Sequence, residues 1–227
     1  MKTTIPIDIK SFKAGIKDFH QQSVKNGSEF HRYKSWEHCY LAFNDPKNAK
    51  NYDLLALHLS MYLASWGMYR GSSFMLELDY KVNLGIVELI KKSDKKFGLS
   101  GLSIWDLGSK AQDIVNLSEE IKKEYKRKLK SIIKTNGKKL LVNPSDTLSS
   151  KILLGTLGCI VAYDTYAKKT LKKHGISQVF NERSLNGVAT LFSKQKNTLE
   201  LIRKSHPGLK MYPDMKLIDM YCFKKGY

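Results

Sequence analysis

The chain has 227 residues, of which 42% are hydrophobic and 26% charged, and this composition excludes an intrinsically disordered protein. Its 39 lysines and arginines against 21 aspartates and glutamates give a formal net charge of +18, which favours a polyanionic partner, with solvated surface lysines as the alternative. Three widely separated cysteines, Cys39, Cys159 and Cys222, argue against a disulfide framework or a cysteine-based metal cluster and indicate a reducing, cytoplasmic location.

Two helices are predicted in the first 45 residues. The first places apolar residues from Ile9 to Phe19 at helical spacing and stops at Asn26-Gly27. The second begins at Ser28 and ends at the turn Asn44-Asp45-Pro46. It carries an aromatic stripe made of Phe30, Tyr33, Trp36, Tyr40 and Phe43.

The middle of the chain also has helical patterns. Residues 52–66 are apolar on nearly all sides, which predicts a centrally buried helix. Gly67 and Gly71 then bracket a bend, after which Ser72 or Ser73 can cap the next element. Further helices are predicted in VNLGIVELIKK and SKAQDIVNLSEEIKKEYKRKLKSIIK, and no stretch alternates with a period of two.

The last third contributes a long helix from Ser184 to about Lys204 and a tail helix, DMKLIDMYCF, that is predicted to dock and close the core. The sequence therefore predicts an all-α protein of nine to eleven helices. Residues 1–227 form a single unit, with 137–147 as the boundary if the helices make two interleaved lobes. No membrane segment, cofactor motif or metal-ligand set is found, so none of these partners is expected.

The densest basic run is IKKEYKRKLKSIIKTNGKK, in which Glu124 is the only acid. Its apolar residues, from Ile121 to Ile133, keep one stripe for the core, so the lysines form a distinct face. Such a face can follow a phosphate backbone. The candidate contacts there are Lys126, Arg127 and Lys130.

The stretch VAYDTYAKKTLKKHG, residues 161–175, holds one acid at the head of a helical pattern. Asp164 follows an apolar segment and precedes helix formers, so its carboxylate can cap the helix. Lysines four, five, eight and nine positions later form a band near the same helix face. Asp164 is therefore either a helix cap alone or an acid set above phosphate-binding cations. Those cations are Lys168, Lys169, Lys172 and Lys173.

Residues 151–175 resemble the helix–hairpin–helix DNA glycosylase superfamily, the group that contains endonuclease III and adenine glycosylase. In that family the catalytic aspartate follows an apolar lead-in and precedes Thr or Gly, with basic residues five and nine positions on. Asp164-Thr165, with Lys169 and Lys173, is similar to this pattern. The family has a glycine-paired hairpin upstream of the aspartate, with a lysine in its bifunctional members, and this chain has VNPSDTLSSK there, without the paired glycines. The four-cysteine cluster that follows in endonuclease III is also absent.

The resemblance implies that Asp164 is a catalytic acid acting on the sugar of an extruded nucleotide in DNA. Removal of a base requires a carboxylate near the sugar and aromatic side chains that hold the base. The candidates for such stacking are Trp36, Tyr40, Trp66, Tyr69 and Tyr163, with core packing as the alternative for each. Arg70, at the glycine bend, is a candidate phosphate contact because a guanidinium is costly to bury without an anion.

A second pattern is RYKSWEH, in which Arg32 and His38 resemble the Arg-x(4–6)-His signature of HEPN ribonucleases. That family implies an RNA phosphate substrate, histidine acid–base catalysis and a dimer. Two alternatives to a DNA glycosylase-like enzyme thus stay open, an HEPN-like ribonuclease and a non-catalytic nucleic-acid or protein-binding module. DNA is favoured over RNA as the partner.

Overall fold

The computed structural model describes residues 5–24 and 30–227. This part of the chain contains ten α-helices and no β-sheet, so the all-α prediction is confirmed. A single isolated bridge joins Ile133 and Lys139. The helices are α1 (Ile9–Val24), α2 (Lys34–Asn44), α3 (Tyr52–Ser65), α4 (Leu84–Phe97), α5 (Ala111–Lys128), α6 (Asp146–Thr156), α7 (Thr165–Lys173), α8 (Glu182–Ser193), α9 (Lys196–Ser205) and α10 (Asp214–Gly226).

Helix α10 lies at the centre of the fold. All of its residues from Asp214 to Phe223 are buried, and it packs chiefly against α1 and α7. The sequence predicted that this tail helix docks and closes the core, and in the structure it is enclosed from Asp214 to Phe223. Its charged residues find partners inside the protein, so every face can be buried although the sequence is not uniformly apolar.

Several helix boundaries differ from the sequence predictions. Helix α2 begins at Lys34, because residues 30–33 form a tight turn that leaves Phe30 90% exposed. The predicted stop at Asn26-Gly27 and start at Ser28 lie outside the described residues. Helix α5 ends at Lys128, and the chain then turns into the bridged segment, so that Ile133 is exposed.

Two other helices differ in burial or continuity. Helix α3 was predicted to be buried on all sides, but it exposes Leu57 and Met61. The long helix predicted from Ser184 is divided into α8 and α9 by a turn at Lys194 and Gln195. Neither residue is a glycine or proline, so no local signal marks this break.

One hydrophobic cluster runs through the molecule. It joins buried residues from both sides of segment 137–147, such as Leu59 and Ile86 before it and Leu153 and Leu217 after it. In the described ranges no helix combines the length and the apolar character that crossing a membrane requires.

Candidate functional site

Helix α6 carries a lysine into the core. Ser145 caps this helix by accepting the backbone N–H of Leu148, and every residue from Leu148 to Thr156 is buried. Lys151 is therefore only 6% exposed. Its Nζ donates a hydrogen bond to the backbone carbonyl of Trp66 at 2.9 Å.

The glycine bend after α3 provides that carbonyl. The N–H of Met68 donates to the carbonyl of Leu63 at 2.9 Å, which closes the end of α3. Gly67 has a φ of +80°, a backbone conformation that favours glycine. A Cβ at this position would also lie 2.8 Å from Nε of Arg70, so the glycine lets the arginine fold back over the turn.

Asp164 uses its two carboxylate oxygens differently. Oδ1 accepts the backbone N–H groups of Tyr166 and Ala167, each at 3.0 Å, and so caps α7 as the sequence predicts. Oδ2 lies 3.9 Å from Nζ of Lys151. The Asp164 side chain is 14% exposed, so the carboxylate is mostly screened from water yet borders an open space.

A second charged pair lies on α10. Nζ of Lys216 is 3.4 Å from Oδ2 of Asp219, one helical turn later, and Oδ1 of Asp219 accepts the N–H of Ala162 at 3.0 Å. Lys216 is 2% exposed and Asp219 7%. The Lys216 ammonium also lies 4.9 Å from the ring centroid of Trp36 and 5.3 Å from that of Trp66.

Burial shifts the pKa values of Lys151, Lys216 and Asp219 in the direction that favours their neutral forms. It lowers the pKa of the Lys151 amine, although the charges of Asp164 and Asp219 oppose the shift. Burial likewise lowers the pKa of Lys216 and raises that of the Asp219 carboxyl, with each partner opposing the other's shift. The cluster therefore contains an amine that loses its proton more readily than a surface lysine does.

A cavity of about 450 Å³ opens over this cluster. It lies in the range of pockets that hold small ligands. Nε1 of Trp66 is buried and has no hydrogen-bond partner in the described part of the chain. The lining residues are Arg32, Ala64, Ser65, Trp66, Gly67, Met68, Arg70, Thr147, Lys151, Asp164, Thr165, Tyr166, Phe223 and Tyr227.

Behind the cavity is a small internal space of about 10 Å³ that both lysines and both aspartates border. The four ionisable groups thus share one enclosed region. An amine with a lowered pKa beside a carboxylate can act as a nucleophile or transfer a proton, and the aromatic rings and two arginines above it can hold a flat, anionic ligand.

Two further depressions continue from the cavity along the surface. One of about 590 Å³ shares Gly67 and Met68 with the cavity, and Lys134 lines it. The next, of about 300 Å³, shares Leu140 and Leu141 with the first. We call these two depressions the basic groove; its second part is lined by the lysines Lys126, Lys130 and Lys139.

A separate depression of about 650 Å³ lies between α4 and α5 and shares no lining residue with the basic groove or the cavity. None of its charged residues is buried. Its volume exceeds that of the cavity, but it lacks a desolvated ionisable group, so the chemistry favours the cavity over α6 and α10.

Of the five aromatic residues predicted for a base pocket, only Trp66 lines the cavity. Trp36, Tyr40 and Tyr163 are buried, and Tyr69 lies within reach of Asn83. The placement of these four residues fits the core-packing alternative. The other aromatic residues that line the cavity are Tyr166, Phe223 and Tyr227, which the sequence did not single out.

Of the four basic residues predicted outside α7 to contact phosphate, three lie at the cavity or the basic groove and one does not. Arg70 lines the cavity, and Lys126 and Lys130 line the basic groove. Arg127 instead borders the separate depression and donates two hydrogen bonds of 2.8 Å to Glu124.

The α7 lysines lie outside the cavity lining. Lys169 lies 5.7 Å from the ring centroid of Tyr166, which places it at the cavity edge. Lys172 and Lys173 are exposed, Lys168 is half-buried, and Lys173 donates to the carbonyl of Lys225.

Arg32 and His38, the two residues of the HEPN-like pattern, lie in different surroundings. Arg32 lines the cavity, with its guanidinium 5.8 Å from the ring centroid of Trp66. His38 lies on the exposed face of α2, and its proximity adds to the burial that lowers the pKa of His58.

Sequence reasoning missed Lys151, Lys216 and Asp219. Each lies in a mostly apolar segment, KILLGTLG or MKLIDMY, but that pattern alone does not separate a buried charge from one that faces water.

No group of three or more His, Cys, Asp or Glu side chains in the described ranges is placed to hold a metal ion. No protein-family model, curated protein or solved structure matches the chain.

Proposed function

We propose that the protein is a nucleic-acid-directed enzyme of the base-excision type, with DNA as the favoured substrate, and that Asp164 and Lys151 act on the sugar of an extruded nucleotide. One observation carries the proposal. A lysine amine and a carboxylate oxygen lie 3.9 Å apart, both largely desolvated, against an aromatic cavity of about 450 Å³. Perturbed ionisable groups that converge on one pocket are typical of active sites.

The charge distribution supports a polyanionic substrate. Arg32 and Arg70 border the cavity, and the basic groove leads away from it past Lys134, Lys126 and Lys130. A strand lying in this groove could place its phosphates on the lysines while one nucleotide enters the cavity. The rings of Trp66 and Tyr166 would then contact the base.

The proposed reaction breaks the bond between C1′ of the sugar and the base nitrogen. The base leaves with the electron pair of that bond and takes a proton from water, while the neutral amine of Lys151 forms a new bond to C1′ and becomes a secondary ammonium. The C1′–O4′ bond then opens, the ammonium gives one of its two protons to O4′, and a protonated imine links the lysine to the sugar. The Asp164 carboxylate stabilises the positive charge that develops at C1′.

The test is base release from end-labelled single-stranded and duplex DNA carrying uracil, hypoxanthine, 8-oxoguanine or an alkylated adenine, with an abasic site and matching RNA included. Alkali converts each abasic product into a strand break, and borohydride traps the imine. We expect base loss from at least one DNA substrate, a covalent adduct on Lys151, and loss of both in Asp164→Asn and Lys151→Gln.

Lys91→Gln is the matched control. Lys91 is another partly buried lysine whose pKa burial lowers, but its Nζ donates to the carbonyl of Phe43 and lies outside the cavity. This variant should keep full activity. Absence of products and of any adduct across all substrates, or equal activity in the three variants, would contradict the proposal.

A non-catalytic nucleic-acid-binding module is the second candidate. The observation that favours it is the pair of hydrogen bonds to Oδ1 of Asp164, which are sufficient to explain an aspartate at this position. It predicts salt-dependent binding without base loss, unchanged by Asp164→Asn.

A further inference from the structure

Lys216 and Asp219 lie directly behind the proposed reactive lysine. Nζ of Lys151 is 5.8 Å and Nζ of Lys216 is 5.3 Å from the ring centroid of Trp66, so one indole is close to both amines. The small internal space that the four ionisable groups border continues from Asp164 to Asp219. The second pair is therefore part of the surroundings of Lys151 rather than a separate feature of the core.

Stability alone does not account for this pair. Placing an ammonium and a carboxylate in the core costs desolvation free energy that their attraction only partly offsets, and apolar residues of similar volume are often as stable. At 3.4 Å the Lys216–Asp219 contact is also longer than a strong charged hydrogen bond. The charges thus call for a role that a methionine or leucine could not fill.

We propose that Lys216 and Asp219 are positioning residues that set the protonation of Lys151 by opposite effects: the Lys216 ammonium favours its neutral amine, and the Asp219 carboxylate favours its charged form. The inference rests on the proposed function in one respect, namely that Lys151 supplies the reacting amine. It goes beyond that function by assigning two residues that do not themselves line the cavity.

The charges around Lys151 give the two residues opposite effects. The Lys216 ammonium disfavours a second positive charge nearby, so its removal should raise the pKa of Lys151. The Asp219 carboxylate favours that charge, so its removal should lower the pKa of Lys151. The other charged or titratable groups around the amine are Asp164, Arg70, Arg32, Tyr62, Tyr166 and Tyr227.

The experiment measures how fast each lysine is acylated by an excess of an amine-reactive ester between pH 6 and 10, with peptide mass spectrometry to assign the sites. Only the neutral amine reacts, so the midpoint of the rate against pH reports the pKa of Lys151 without any nucleic acid. The chains compared are the wild type, Lys216→Met, Asp219→Asn and the double variant. Lys91 serves as an internal control in every sample.

We expect acylation of Lys151 at pH 7.5 to slow by about threefold in Lys216→Met, because a repulsive charge is removed. In Asp219→Asn it should accelerate by about tenfold, the change in neutral amine that one pKa unit produces. The double variant has no uncompensated buried charge and keeps the fold accessible to measurement. In it Lys151 should also react faster, because Asp219 acts on Lys151 more strongly than Lys216 does.

The inference would be overturned if the pKa of Lys151 moved in the same direction in both single variants, or if it moved no more than the pKa of Lys91. A purely structural role of the pair would not change the pKa of Lys151 with opposite signs. The outcome is separable from the proposed function. Opposite shifts without base loss from any substrate would sink the base-excision proposal and leave the role of the pair standing. Base loss that depends on Lys151, without any change in the pKa of Lys151 in these variants, would support the base-excision proposal and refute the role of the pair.

Discussion

At the residue scale, Asp164 shows how one side chain can hold a structural and a chemical role together. Oδ1 satisfies two backbone donors at the start of α7, while Oδ2 is directed to Lys151. These roles can be separated by substitution. An asparagine can keep the cap through its amide oxygen but removes the negative charge, whereas an alanine removes both.

We therefore predict that Asp164→Asn changes the free energy of unfolding by no more than about 0.5 kcal/mol, while Asp164→Ala lowers it by about 1 kcal/mol. Both variants should lose base-excision activity. Thermal and denaturant unfolding, measured beside product formation, check this prediction. Equal destabilisation by the two substitutions would mean that the carboxylate charge, and not the cap, supports the fold.

Lys151 gives a prediction about pH. Its pKa is lowered in the folded state, so as pH rises toward the ordinary lysine pKa of about 10.4 the unfolded chain holds more protons than the folded one. Stability contributed by this residue therefore increases with pH across that window. Relative to Lys151→Met, the wild type should gain stability as pH rises toward the ordinary lysine pKa.

Urea unfolding of the two proteins at matched pH values measures this difference. Because tyrosines and other lysines titrate in both proteins, subtracting one curve from the other isolates Lys151. A difference that is flat, or that falls as pH rises, would show that the folded protein does not disfavour the Lys151 ammonium.

At the scale of elements, the packing of α6 against α3 fixes the position of Lys151. A Cβ on Gly155 would lie 2.3 Å from Cε1 of Tyr62, a fully enclosed ring that also borders the small internal space. Alanine normally stabilises a helix interior relative to glycine by about 1 kcal/mol. Here the clash should reverse that sign, because neither the ring nor the helix can move freely.

Gly155→Ala should accordingly destabilise the protein by about 1–3 kcal/mol and disturb the Lys151–Asp164 pair. Gly85→Ala in α4 is the matched control, since the nearest atom to its Cβ is the carboxylate end of Glu124, a side chain that can swing away. That control should be neutral or slightly stabilising. The measurement is the urea concentration at the unfolding midpoint of each variant, compared with the wild type. Similar destabilisation in both variants would refute the packing argument.

Local signals account for the elements that the sequence predicted correctly. The cap at Asp164 and the bend at Gly67 and Gly71 depend on residues close in sequence, and both are present. The Lys216–Asp219 pair could not be found in this way, because it depends on α10 being enclosed on every side. A charged residue in a buried helix is indistinguishable in sequence from one that faces water until its neighbours in space are known.

At the scale of the whole molecule, the net charge of +18 is the broadest feature and the least specific. The structure divides this charge between surfaces. The basic groove continues from the cavity, whereas Lys92 and Lys96 of α4 line the separate depression. If nucleic acid follows the groove, only the first set of lysines should exchange counterions with phosphate.

This gives a prediction for the salt dependence of binding. Replacing Lys126, Lys130 and Lys134 with glutamine should reduce the slope of log affinity against log salt by about 0.9 for each phosphate of duplex DNA that a lysine no longer neutralises. The matched triple variant at Lys92, Lys95 and Lys96 removes the same charge from α4 and should leave the slope nearly unchanged. Fluorescence anisotropy with labelled DNA from about 50 to 200 mM salt measures both. Equal reductions in the two variants would show that the protein attracts DNA through its overall charge, and the groove would then lose its assigned role.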